Sequence, residues 1–159
     1  ENRMVFIPTE IDSNSMTRKT NEHEAKMVGE IVSIFKNMYF RKGEVFSKNS
    51  IGVITPYRAQ IAQIQEVLHS KEIDSRLITI DTVERYQGGA RDIVILSLCT
   101  NSERQMDSLV SLSEEGVDRK LNVALTRARQ QVVVLGNPRV LKTNEIYGKL
   151  ISNCISPTL

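Results

Sequence analysis

Short continuous apolar runs alternate along the chain with stretches whose apolar residues recur every three or four positions. Met4-Val-Phe-Ile7, stopped by Pro8, has the length and character of a strand. Ala25, Val28, Ile31, Val32 and Phe35 then fall on one helical face, behind Asn21 and Glu24, whose spacing is that of a capping box. A charged, Gly-containing loop over 41–50 precedes Ile51-Gly-Val-Ile54, a second strand ended at Thr55-Pro56. Ile61, Ile64, Val67 and Leu68 predict a second helix. Leu77-Ile-Thr-Ile80 and Ile93–Leu98 predict further strands around a polar loop with paired glycines. Leu121, Ala124, Leu125 and Ala128 form another helical stripe, Gln131–Leu135 a fifth strand, and Pro138 the first turn of a last helix ending near Ile151.

Strands and helices alternate, and the strands are unbroken Val/Ile/Leu runs. Both features predict an α/β fold: a mainly parallel sheet covered by helices on both faces, hence three layers. In such sheets ligands sit at the carboxyl ends of the strands. Three polar segments are expected there: after Ile54, after Ile80, and in the helix leading into Gln131.

Composition narrows the class. At 159 residues and 40% hydrophobic the chain suits one domain with a real core, spanning 1–159, and excludes wholesale disorder. No apolar run approaches the roughly 20 residues of a membrane helix. The net charge of +2 points to no bulk basic clamp, although a local patch remains open. Cys99 and Cys154 have no CxxC or His partner, so no zinc site or disulfide scaffold is expected, and free thiols suggest an intracellular compartment. His23 and His69 stand among polar neighbours without a partner at ligand spacing. The chain opens on Glu1 without a signal-type segment, and reads as a fragment of a longer protein.

Three segments could carry chemistry. Thr82-Val-Glu-Arg-Tyr-Gln-Gly-Gly-Ala-Arg-Asp92 joins two strands; Gly88 and Gly89 would permit positive φ and close ligand approach, while Thr82, Arg85, Gln87 and Arg91 offer donors. Alone, it is equally an ordinary Gly-Gly turn. Leu121-Asn-Val-Ala-Leu-Thr-Arg-Ala-Arg129 leaves Arg127 and Arg129 free to present planar charged forks to a phosphate, or simply forms a solvated basic helix end. Ile54-Thr-Pro-Tyr-Arg-Ala-Gln60 could meet phosphate with Thr55 and its early amides and stack a base on Tyr57, or is a plain helix start.

Together and in this order, the three resemble the second RecA-like domain of superfamily 1 nucleic-acid helicases, in the branch containing senataxin and the nonsense-mediated-decay helicase. Ile51-Gly-Val-Ile-Thr-Pro-Tyr57 with Gln60 is similar to that branch's GVITPYxxQ block; Thr82–Asp92 resembles helicase motif V; Leu121–Arg129 resembles motif VI, extended by Val134-Leu-Gly-Asn-Pro138. Asn21, Glu24 and Ala25 fit too, so the likeness covers most of residues 20–150.

The resemblance implies a three-layer RecA-like (P-loop NTPase-type) fold. It also implies ATP and Mg²⁺ shared with a first RecA-like domain, and a single-stranded nucleic-acid partner, DNA or RNA. Arg127 matches the arginine finger. Arg129 is the neighbouring charge, touching phosphate or buttressing the loop. Gln87 and Gly88 would couple the nucleotide cleft to the strand path, with Thr82, Thr55, Tyr57, Arg58 and Gln60 along that path. Two features depart from the family. Ala90 stands where an acidic or amide residue usually bonds the ribose, and the upstream Gln-Tyr-Arg-type block is not present.

The sequence holds no G-x-x-x-x-G-K-[ST] loop and no acidic pair after a strand for Mg²⁺, so the fragment alone is expected neither to hydrolyse ATP nor to unwind a duplex. A degenerate helicase-like binding module, favoured by Ala90, and a receiver-like regulatory module remain as alternatives.

Overall fold

A computed structural model of the chain describes residues 3–15, 19–86, 89–106 and 119–155. Five parallel strands form one sheet in the order β1-β5-β4-β2-β3. They are β1 (Met4–Pro8), β2 (Ile51–Ile54), β3 (Thr79–Asp81), β4 (Arg91–Ser97) and β5 (Ala128–Gly136). The helices are α1 (Glu22–Arg41), α2 (Arg58–Ser70), α3 (Arg119–Arg127), α4 (Pro138–Leu141) and α5 (Glu145–Asn153).

The strands are buried on both faces because their apolar residues alternate between two cores. Ile51, Val53, Ile93, Ile95, Val133 and Leu135 pack against Val28, Val32, Ile64 and Leu68 of α1 and α2. Ile54, Val94, Leu96, Val132 and Val134 face the other way, onto Ala124, Leu141, Tyr147 and the 82–86 segment. The sheet with its two covering layers is the expected α/β RecA-like arrangement.

The structure departs from the sequence expectations at four places. β3 starts later, because Ser75–Leu77 turns as a 3₁₀ segment and leaves Thr79–Asp81 for the ladder. Ala128, counted in a helical stripe, is the first residue of β5 and pairs with Arg91. The last helix is two, because the Asn144 side chain accepts from the Ile146 and Tyr147 amides and restarts the helix.

The fourth departure concerns Asn21 and Glu24, which form only half a capping box. Asn21 Oδ1 accepts the Glu24 amide at 2.8 Å, but the Glu24 carboxylate turns inward instead of back to the Asn21 amide. Ser108–Glu115, a Ser/Glu-rich stretch whose sequence reads as an exposed loop, lies outside the described residues. Among the described residues no helix is long and apolar enough to cross a membrane.

Candidate nucleotide and nucleic-acid sites

The three motif segments do not share the carboxyl edge of the sheet, which corrects the expectation above. Thr55 and Thr82 directly follow β2 and β3 and so lie at the carboxyl edge. Arg127, however, ends α3 and leads straight into Ala128, the first residue of β5, so it stands at the amino edge. Helical spacing cannot reveal which edge a helix feeds. Residues 82–90 run from the end of β3 to the start of β4 and so connect the two edges.

At the carboxyl edge an open groove of about 420 Å³ is lined by Lys19, Pro56, Tyr57, Arg58, Ala59, Thr82, Glu84 and Arg85. It gathers three of the residues read from the sequence as strand-facing: Tyr57, Arg58 and Thr82. Tyr57 is the N-cap of α2 and supplies no side-chain cap, so the first amides of that helix stay uncapped by a side chain beside the groove. Lys19 and Arg85 add positive charge there. Arg85 is a candidate donor in the sequence, whereas nothing in the sequence sets Lys19 apart.

Thr55 and Gln60 behave differently, for both are fully buried. The Gln60 amide accepts from the Asn21 backbone N–H at 2.8 Å and donates to the Asn21 carbonyl at 3.0 Å and to Ser97 Oγ at 3.4 Å. It thereby ties the first turn of α2 to the N-cap residue of α1 and to Ser97, the last residue of β4. Thr55 Oγ1 has no hydrogen-bond partner.

Behind Gln60, Glu24 is completely buried. Its carboxylate accepts from the Cys99 amide (2.8 Å), the Thr100 amide (3.1 Å), Ser97 Oγ (3.0 Å) and Thr9 Oγ1 (3.4 Å). Burial pushes its pKa up to about 7, although these donors pull the other way. The network also holds Cys99 at φ 54°, a left-handed conformation that costs a non-glycine residue about 1–2 kcal/mol. Burial, and then the Glu24 carboxylate, raise the Cys99 thiol well above its ordinary range, consistent with a packing role.

At the amino edge the polar groups are arginines. Arg127 is exposed, with no hydrogen bond or ion pair among the described residues. Arg129 is engaged with Asp92, Ala90 and Asn49. Arg91 is only 8% exposed and has no carboxylate partner among the described residues; it donates to the Gly89 and Ala90 carbonyls and to Thr79 Oγ1.

Between the edges Tyr86 lies over Gly52 of β2. A Cβ on Gly52 would fall 2.0 Å from the tyrosine oxygen, so only glycine fits there. The Tyr86 hydroxyl is buried without a partner among the described residues. Burial raises its pKa, while the nearby charges of Arg91 and Arg127 oppose that rise.

Gln87 and Gly88 lie outside the described residues. A Cβ on Gly89 would meet Arg91 Nη1 at 4.0 Å, an ordinary contact among the described residues.

Lys19, Arg58 and Arg85 outnumber Glu84 along the groove, and Arg127 at the end of α3 has no ion pair among the described residues, so the side chains at both edges suit a polyanion. The chain also resembles known proteins. The AAA domain family pattern matches residues 1–139. The chain is 36% identical over 86% of its length to DNA polymerase alpha-associated DNA helicase A of Saccharomyces cerevisiae, covering 18% of that protein. It is 34% identical over 87% of its length to Helicase sen1 of Schizosaccharomyces pombe, covering 8%. It is 33% identical over 96% of its length to the Regulator of nonsense transcripts 1 homolog of Drosophila melanogaster, covering 12%. The chain thus spans less than a fifth of each of these relatives. Fold, motif order and family match together place this chain in the AAA domain family, as a C-terminal RecA-like domain of the superfamily 1 helicases.

Proposed function

We propose that this domain is the second motor domain of an ATP-dependent nucleic-acid helicase, working inside the cell as part of a longer chain. In this reading Arg127 reaches across a cleft to the γ-phosphate of a nucleotide held, with its Mg²⁺, by the first RecA-like domain. ATP would supply the phosphoryl group and Mg²⁺ its charge neutralisation. The chain's own contribution is a rigidly mounted guanidinium that faces charge developing on the phosphate oxygens. Gln87 and Gly88 keep their proposed coupling role between nucleotide and strand.

Tyr57, Arg58 and Thr82, with Lys19 and Arg85, form the proposed strand path: the aromatic ring for stacking, the cations for the backbone. Thr55 and Gln60 support that path from inside. With neither phosphate loop nor acidic pair, the chain alone is proposed to be inactive in hydrolysis and unwinding.

The observation that supports this reading most is the contrast among three neighbouring arginines. Arg91 and Arg129 are bonded into the protein, and Arg127 stands exposed without a hydrogen bond or ion pair among the described residues. The test is Arg127→Ala in the full-length parent. Nucleic-acid-stimulated hydrolysis should fall about 10³-fold or more, as for other arginine fingers, while single-strand binding stays within about twofold because the groove lies at the opposite edge. Hydrolysis near the parental rate would overturn the proposal. Ala90, whose methyl cannot bond a ribose, favours a second reading as a binding module without hydrolysis; that reading gains if the parent binds strands and turns over no ATP.

A further inference from the structure

We infer that Arg129 is a positioning residue rather than a nucleotide ligand: with Asp92 and the Ala90 carbonyl it locks the α3–β5 junction and so sets where Arg127 stands. The inference rests on the role proposed for Arg127. β4 and β5 pair Arg91 with Ala128 and Ile93 with Gln131, so three steps along β5 answer two along β4. Such a bulge breaks the regular alternation of side chains and re-aims those beside it.

All three Arg129 nitrogens donate to protein acceptors. Nε reaches Asp92 Oδ1 at 2.9 Å, Nη1 the Ala90 carbonyl at 3.0 Å, and Nη2 the Asn49 carbonyl at 2.9 Å. One planar fork therefore ties β5 to β4, to the end of the 82–90 segment and to the loop before β2. A lysine has a single ammonium and cannot span these acceptors.

The lock is itself held from both sides. Asp92 Oδ2 accepts the hydroxyl of Tyr39 near the end of α1. Burial, followed by the Asp92 carboxylate, pushes that hydroxyl's pKa up to about 12, so it remains a donor. The Ala90 carbonyl also accepts from Arg91 Nη1 at 3.2 Å. On the far side of the junction, the Arg3 guanidinium donates to the Ala128 carbonyl. Positions 128 and 129 are thus both tied to the rest of the domain, and Arg127, next along the backbone, takes its placement from them. Displacing a reacting group by about 1 Å can cost about 10²-fold in rate.

The test measures ATP hydrolysis by the full-length parent carrying Arg129→Gln, Arg129→Lys, Asp92→Asn, or Asp92→Asn with Arg129→Gln, each checked for an unchanged melting profile. All four should lower kcat about 10- to 100-fold, with KM for ATP within about threefold. The double variant should be no worse than the worse single one, because both remove the same lock. Near-isosteric Asp92→Asn keeps the test open if an Arg129 variant fails to fold. An Arg129→Gln effect confined to a tenfold or larger rise in KM, with Asp92→Asn silent, would identify a phosphate contact and overturn the inference. Arg127→Ala, run alongside, separates the two proposals. If it retains parental turnover, the finger reading fails. If it is dead while the Arg129 and Asp92 variants keep parental kcat, only the lock fails.

Discussion

The two edges of this sheet use polar residues in opposite ways. At the carboxyl edge Asn21, Glu24, Gln60, Ser97 and Asn101 are buried and bonded to one another or to backbone, so their chemistry is consumed inside the molecule. At the amino edge three arginines gather; Arg91 and Arg129 are bonded into the protein, and Arg127 has no hydrogen bond or ion pair among the described residues. A satisfied buried network stabilises and rigidifies, whereas an exposed charge held at the end of a rigid helix is available to something outside. Fold stability and ATP hydrolysis should therefore respond to different edges, with strand binding confined to the exposed groove of the carboxyl edge.

The largest expected effect is on stability, at Glu24. Replacing it with Ala would leave the Cys99 and Thr100 amides and the Ser97 hydroxyl without their acceptor, at a cost of about 3–5 kcal/mol. Urea unfolding of this chain measures it. Arg127→Ala in the same assay should change stability by less than about 0.5 kcal/mol. Equal losses at the two positions would erase the distinction between the edges.

A pH series sharpens the same contrast. Burial pushes the Glu24 pKa up to about 7 in the folded state, against the ordinary 4.5 of the unfolded chain. Because the folded pKa is raised, the folded state binds the proton more tightly than the unfolded state. The resulting stability is fully present below about 4.5 and is lost as pH rises through about 7. The shift corresponds to about 3 kcal/mol at about 1.4 kcal/mol per pH unit. Unfolding midpoints of the chain and of Glu24→Gln at pH 5 and pH 8 should therefore diverge in pH dependence, with the steeper fall in the Glu24 protein. A variant with the same slope would assign the pH dependence to other groups.

Much of the architecture was legible in sequence because it is written in local period. β2 matches its apolar run residue for residue, and α1 and α2 follow their stripes. What was not legible depends on partners far along the chain. Asn21 and Glu24 have capping-box spacing whether the carboxylate turns back or dives inward; Ser97 and Thr100, more than 70 residues away, decide it. Arg129 pairs with Asp92 across 37 positions, through a bulge that no periodicity announces. Gln60 shows the same limit: its place in a motif drew it toward the strand path, while the Asn21 backbone drew its amide inside.

A smaller effect is expected where the two edges meet, at Gly52 and Tyr86. Gly52→Ala places a methyl 2.0 Å from the Tyr86 oxygen and should destabilise by about 1–3 kcal/mol, the usual range for overpacking. Tyr86→Phe should relieve part of that loss in the double variant, since the next ring atom lies 3.1 Å from the same Cβ.

Alone, Tyr86→Phe should be neutral or stabilising by up to about 1 kcal/mol, because it deletes a buried hydroxyl that has no partner. That outcome gives the hydroxyl's retention beside Arg91 and Arg127 a meaning other than stability. The phenol lies within electrostatic reach of both cations, so its loss should register in turnover of the full-length parent. A destabilisation of 1 kcal/mol or more by Tyr86→Phe in this chain would instead make the hydroxyl a structural group. The boundary between the stabilising edge and the reactive one would then run through the middle of the 82–90 segment rather than at its end.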